Sequence, residues 1–130
     1  MKKNIWVNGC FDVVHRGHLE LFKFAKSKGS FLVVGIDSDR RVKSNKGPFR
    51  PFNNQEDRKF FLECIKYIDK VVVFDSDYEL ETCVSLQNID YLIVGSEYRG
   101  KTVIGSQYAK EVLFFDRIQK YSTTNILEGK

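Results

Sequence analysis

Asn4-Ile5-Trp6-Val7-Asn8-Gly9-Cys10-Phe11-Asp12-Val13-Val14-His15-Arg16-Gly17-His18 begins as an apolar run and ends on the chain's 2 histidines. Ile5 to Asn8 reads as a first β-strand, and Leu19, Leu21, Phe22 and Ala25 beyond the histidines recur at helical spacing. The pair therefore stands where a strand gives way to a helix N-terminus. Unpaired backbone N–H groups and the positive end of the helix dipole attract anions there. Gly17 lets the backbone come close, and His15 and His18 can both donate hydrogen bonds to oxygens that gain charge in phosphoryl chemistry. A metal is the competing use of two histidines. Cys10, Cys64 and Cys83 are scattered, however, and supply no Cys-x-x-Cys or His-plus-Cys cluster.

Outward from this junction, runs rich in β-branched and aromatic residues alternate with helical segments. That alternation is the mark of a parallel sheet covered on both faces. The predicted strands are Ile5 to Asn8, Phe31 to Ile36, Lys70 to Phe74, Tyr91 to Val94 and Val112 to Phe115. Helices are predicted for His18 to Lys28, Gln55 to Ile65 and Tyr78 to Leu86, with a helical turn over Gly105 to Ala109 and a last helix from a Ser122 cap through Leu127. The expected fold is α/β: a single Rossmann-like, doubly wound domain, residues 1–130, with a five-stranded parallel sheet.

Composition narrows the function. An apolar content of 42% with interspersed charge describes a globular chain, and nothing approaches the ~18 consecutive apolar residues of a spanning helix. Met1-Lys2-Lys3 is basic, but Asn8 and Asp12 interrupt the apolar run after it, against a signal peptide. With widely spaced cysteines, reduced thiols and a cytoplasmic location are expected. The net charge of +4 is concentrated in Arg40, Arg41, Lys43, Lys46 and Arg50, which suits a small polyanion better than a duplex. No nucleic-acid or membrane partner is expected.

Asp37 to Asn54 lacks clear periodicity and carries most of that charge. It reads as a long mobile flap over a phosphorylated ligand, beyond the C-terminal end of the second strand. Arg58, in the first turn of its helix, opposes the dipole and needs another partner: a ligand anion, a buried carboxylate, or an ordinary salt bridge to Asp57 or Asp12. Arg117 precedes Ser122-Thr123-Thr124, hydroxyls that cap a helix by default and can equally cradle a second phosphate. Tyr98, within Gly95 to Lys101, can stack on a base or sugar.

Three motifs together resemble the cytidylyltransferase-like nucleotidyltransferases: Gly9-x-Phe11-Asp12-x-x-His15-x-Gly17-His18, the run from Arg50-Pro51 to Asp57-Arg58, and Arg117 to Thr124. Lys46-Gly47-Pro48 through Arg58, with Val103-Ile104-Gly105, looks like the heptose-1-phosphate adenylyltransferases that make ADP-heptose. Arg117 with Ser122-Thr123, and Gly95 through Lys101, looks more like glycerol-3-phosphate cytidylyltransferase, although Ile118, Gln119, Lys120 and Tyr121 stand where that family keeps Thr, Glu, Gly and Ile.

The resemblance implies attack of an acceptor phosphate oxygen on the α-phosphorus of a nucleoside triphosphate, with release of pyrophosphate. It places His15 and His18 on the α- and β-phosphates, Lys46 on the triphosphate or leaving group, and Arg117, Ser122 and Thr123 on the β- and γ-phosphates. Gly9, Gly17 and the main chain of Cys10 and Phe11 would meet the nucleotide, while Lys43, Arg50 and Arg58 would serve the acceptor, with support of the flap the other role open to Arg58. Mg²⁺ would arrive with the nucleotide, since no carboxylate cage is evident, and relatives of this kind imply a homodimer. The first reading is ATP with heptose 1-phosphate, the alternative CTP with glycerol 3-phosphate, and the contrasting class a non-catalytic nucleotide sensor. Replacing His18 with Ala is expected to lower kcat by about a hundredfold in a folded protein, the scale of a lost transition-state donor, measured as pyrophosphate release.

Overall fold

The computed structural model describes residues 2–116. In chain order these form β1 (Asn4–Gly9), α1 (Arg16–Ser27), β2 (Phe31–Asp37), α2 (Asp39–Lys46), α3 (Gln55–Glu63), β3 (Lys70–Phe74), α4 (Asp77–Leu86), β4 (Tyr91–Gly95) and β5 (Glu111–Phe115), with 3₁₀ turns at Ser96–Tyr98 and Ser106–Tyr108. The strands make one sheet in the order β3-β2-β1-β4-β5, with every ladder parallel. This is the expected five-stranded α/β arrangement. Each predicted strand is present, none displaced by more than a residue or two at its ends.

Side-chain alternation divides the core into two layers. Ile5 and Val7 of β1 join Leu32, Val34 and Ile36 of β2 on the face covered by Phe22 and Ala25 of α1 and Leu62 of α3. Trp6 and Val33 point the other way, toward Leu80 and Val84 of α4. Trp6 is wholly buried, and its ring lies so close to Gly35 of β2 that a Cβ there would sit 2.5 Å from it. Burial on both faces explains why these strands read as unbroken apolar runs. No helix among the described residues is long and apolar enough to cross a membrane.

The sheet order reverses at β1, so the crevice between β1 and β4 is the place where such folds accept ligands. The pairing makes that opening visible. β1 and β4 are paired only at Ile5–Tyr91 and Trp6–Leu92, although the strands run on to Gly9 and Gly95. By contrast β1 stays in register with β2 from Asn4–Phe31 to Gly9–Ile36.

The segment expected to be a flap is corrected in its first half. Asp39–Lys46 is helical, capped by Ser38, whose side chain accepts from the Arg41 N–H at 3.2 Å. Asp39 in the first turn and Lys43 and Lys46 in the last both favour the helix dipole. Only Val42 is buried, so the helix has almost no apolar stripe for a periodicity argument to find. α1 likewise begins at Arg16 rather than His18, and α3 ends at Glu63. The turn over Ser106–Tyr108 is as expected. The Ser122-capped helix lies outside the described residues.

What remains of the flap, residues 47–54, is tied down from two sides. Asp12, nearly fully buried, accepts from the main-chain N–H groups of Phe52 (2.7 Å) and Asn53 (2.8 Å) and from Arg50 Nε (3.2 Å). Arg58 acts from the other side. Its side chain is fully buried, with Nε donating to Asn53 O at 3.0 Å, Nη1 to Cys10 O at 2.9 Å and Asp37 O at 2.8 Å, and Nη2 to Asp39 Oδ1 at 2.9 Å. The partner that offsets its place in the first turn is thus Asp39 and a set of carbonyls, neither Asp57 nor Asp12. The acceptor-binding role expected of Arg58 is corrected accordingly: the guanidinium is sealed in and committed to these oxygens. An ammonium cannot reach the same fan of acceptors. Arg58→Lys is expected to destabilise the fold by about 3 kcal/mol, the scale of a broken buried charge network. Wild-type resistance to urea in that variant would show that the tie is not needed.

Candidate active site

The crevice holds a cleft of about 530 Å³, walled by the C-terminal ends of β1 and β4, the start of α1, the inward face of α2, and the segment after β4. Its floor is Val7, Asn8, Gly9, Cys10 and Phe11 on one side and Ile93, Val94 and Gly95 on the other. The polar half brings Arg41, Lys46 and Arg50 together with Asp12, Asp37 and Glu97 beside His15 and His18. Toward Tyr98, Thr102, Val103 and Ile104 the wall becomes mostly apolar. The arrangement would suit a ligand with a charged end and a flat organic end.

The histidines are organised by the helix they start. His15 is the N-cap of α1, in extended conformation, and its Nδ1 accepts from the Gly17 N–H at 3.1 Å. The His15 N–H in turn donates to His18 Nδ1 at 3.2 Å. This is a capping box whose two side-chain acceptors, usually a hydroxyl and a carboxylate or amide, are both imidazoles. Because each Nδ1 accepts, the proton of each neutral ring belongs on Nε2. The rings stack with centroids 3.9 Å apart and planes 22° off parallel. Local helix geometry thus contributes to the tautomer and orientation of both rings.

Opposite them, Arg50 and Lys46 carry positive charge into the cleft. Arg50 is held by its Nε to Asp12, and its buried Nη2 finds no hydrogen-bond acceptor among the described residues. A buried guanidinium nitrogen without an acceptor is costly unless a ligand oxygen completes it. Arg41 is neutralised instead, donating from Nε to Asp37 Oδ1 and from Nη2 to Asp77 Oδ1, both at 2.7 Å.

Of the residues singled out from sequence, Gly9, Cys10, Phe11, His15, Gly17, His18, Lys46, Arg50 and Tyr98 come together on this one cleft. Lys43 does not line it. Two residues from each, or about 200° round α2, it leaves by the face opposite Arg41 and Asn45, against the expectation that it meets the acceptor. Arg117, Ser122 and Thr123 lie outside the described residues. The sequence reading missed Arg41, Asn45, Asp37 and Glu97 as wall residues. The i, i+4 spacing of Arg41 and Asn45 was the signal for two of them, and it carries meaning only once α2 is known to be a helix.

The sequence profile of the cytidylyltransferase-like family matches residues 6–128. A bifunctional protein HldE of Campylobacter fetus subsp. fetus (strain 82-40) is 44% identical over 126 residues, 97% of this chain and 27% of that protein. The bifunctional protein HldE of Helicobacter pylori (strain P12) is 40% identical over 127 residues, 98% of this chain and 27% of its own length. The chain therefore spans about a quarter of the curated relatives it matches. Among solved structures, the lipopolysaccharide core biosynthesis protein from Thermoplasma volcanium GSS1 superposes with a TM-score of 0.72, at 21% identity, covering 88% of this chain and 97% of that one. At that identity the likeness concerns the fold.

Cys10 stands in the cleft but is not arranged as a nucleophile. Burial pushes its thiol pKa up, and the nearby Lys46 and Arg58 charges only partly counter this, so the thiol stays protonated at neutral pH. Iodoacetamide at neutral pH is expected to label the exposed Cys64 well before Cys10, and Cys10→Ser is expected to keep kcat within about threefold of wild type. A hundredfold loss in that variant would instead make the thiol a reacting group.

Proposed function

Because the chain belongs to the cytidylyltransferase-like family and is a nucleotidyltransferase, we propose that it transfers an adenylyl group from ATP to heptose 1-phosphate with release of pyrophosphate. The observation that carries the reading is the convergence on one crevice of two Nε2–H imidazoles at a helix N-terminus with the Arg50 and Lys46 cations opposite. Similarity to the HldE proteins over nearly the whole chain, together with Lys46-Gly47-Pro48 and Val103-Ile104-Gly105, favours the heptose substrate over glycerol 3-phosphate.

In this proposal an acceptor phosphate oxygen forms a bond to the α-phosphorus as the bond from that phosphorus to the β-bridging oxygen breaks. The acceptor phosphate is already a nucleophile at neutral pH, so the protein's work is in-line positioning and charge neutralisation. His15 and His18 would donate from Nε2 to the α- and β-phosphate oxygens as negative charge shifts toward the leaving pyrophosphate. Lys46 would neutralise that leaving group. Arg50 would complete its unpaired Nη2 on the acceptor phosphate, a charge-assisted bond that also anchors the flap. The base would lie toward Tyr98, Val103 and Ile104.

Mg²⁺ carried in on the triphosphate belongs to the proposal. Among the described residues no cluster of three or more His, Cys, Asp or Glu side chains is placed to hold an ion, so phosphate oxygens and water would be its main ligands, neutralising phosphate charge. A cytoplasmic location and a homodimer belong to the same proposal. Phe49, Phe52, Phe60 and Phe61, each more than half exposed, offer apolar surface to a second subunit.

The test is pyrophosphate release from ATP, CTP, GTP and UTP, each against heptose 1-phosphate and glycerol 3-phosphate. ATP with heptose 1-phosphate is expected to be the fastest pair. Preference for CTP with glycerol 3-phosphate would move the reading to the cytidylyltransferase, and binding without turnover of any pair would make the chain a sensor. Arg50→Ala is expected to raise KM for the acceptor about tenfold or more, the scale of one lost hydrogen bond to a charged group, and to leave KM for the triphosphate nearly unchanged.

A further inference from the structure

Phe11 adopts a backbone conformation that its residue type avoids, with φ at +49° in the left-handed region. A bulky residue persists there only when its surroundings over-determine it. Three contacts do so. The ring meets the His18 imidazole edge to face, with centroids 5.3 Å apart and planes at 84°. It meets Phe22 of α1 at 5.1 Å. Behind it stands Gly9, where a Cβ would come within 3.1 Å of the Phe11 ring carbon Cζ. The ring is thus wedged between the end of β1 and the first two turns of α1, and it is almost wholly buried.

We propose that Phe11, backed by Gly9, is a positioning residue for His18 in nucleotidyl transfer. His18 is located by its Nδ1, which takes the His15 N–H, and by stacking on His15. The Phe11 edge contact bears on the same ring and restricts where Nε2 points. The strained φ is what brings the ring beneath the histidine, since an extended backbone at residue 11 would send its side chain elsewhere. Gly9 is then required for a reason separate from nucleotide approach: its missing Cβ makes room for the aromatic wedge.

This inference rests on the reading that His18 donates to the reacting phosphate, and a double-mutant cycle separates the two. Phe11→Leu keeps apolar volume and removes the flat edge. It is expected to lower kcat about tenfold or more with KM for the triphosphate changed less than about threefold, because a misdirected donor is lost in the transition state rather than in binding. In a His18→Ala background the same change is expected to have almost no further effect on kcat. Gly9→Ala presses on the ring from behind and is expected to show the same background dependence, so it decides the matter even if Phe11→Leu fails to fold. Equal losses from Phe11→Leu and Gly9→Ala in both backgrounds, or a change confined to KM, would overturn the positioning role while leaving the function intact. A His18→Ala enzyme with wild-type kcat would overturn the function reading itself.

Discussion

The buried guanidinium of Arg58 collects main-chain oxygens that would otherwise be stranded. In a parallel sheet the carbonyls at the C-terminal strand ends lose their ladder partners as the chain turns away, and Cys10 O and Asp37 O stand just past β1 and at the end of β2. Arg58 satisfies both, adds Asn53 O from the segment before α3, and is neutralised by Asp39 at the start of α2. One planar cation with several fixed donors thus joins three stretches of chain, at Cys10, at Asp37 to Asp39 and at Asn53 to Arg58. Without it the walls of the cleft would have no common anchor.

Asp12 is the anionic counterpart. It sits within the histidine motif and receives the N–H groups of Phe52 and Asn53 and the side chain of Arg50. The charges of the site consequently fall into two groups. Arg58 with Asp39, and Arg41 with Asp37 and Asp77, are paired and form the frame, and Asp12 holds Arg50 by its Nε. Lys46 and the second nitrogen of Arg50 face the cleft with charge in reserve for an anion. Transfer of a charged phosphoryl group calls for such a division, because donors must be held in place before the reaction rather than reorganise during it.

Much of the fold was legible because burial on both faces leaves a strong trace. Strands such as Lys70–Phe74 have apolar runs whose ends coincide with turn residues. α2 was not legible, since a helix with one buried residue among eight has no stripe to detect, and its evidence was the Ser38 cap and the placement of charge. The same omission misplaced Lys43, whose direction depends on helical phase. Arg58 was misassigned for a different reason. An arginine in a motif reads the same whether it meets a phosphate or a carbonyl, and only burial distinguishes the two.

By itself, the sequence determined the parallel α/β layout, the strand-to-helix junction bearing both histidines, and the family, because these depend on patterns along the chain: apolar runs, glycine placement and the spacing of His15 and His18. Tertiary structure alone decided which cations reach the cleft, that the two imidazoles cap their own helix through Nδ1, and that Phe11 takes a left-handed φ with its ring edge against His18. These depend on contacts between segments distant in sequence and on local backbone geometry. Whether a charged group is sealed in or left facing a ligand is a property of its surroundings, and residue order does not encode those until the chain has folded.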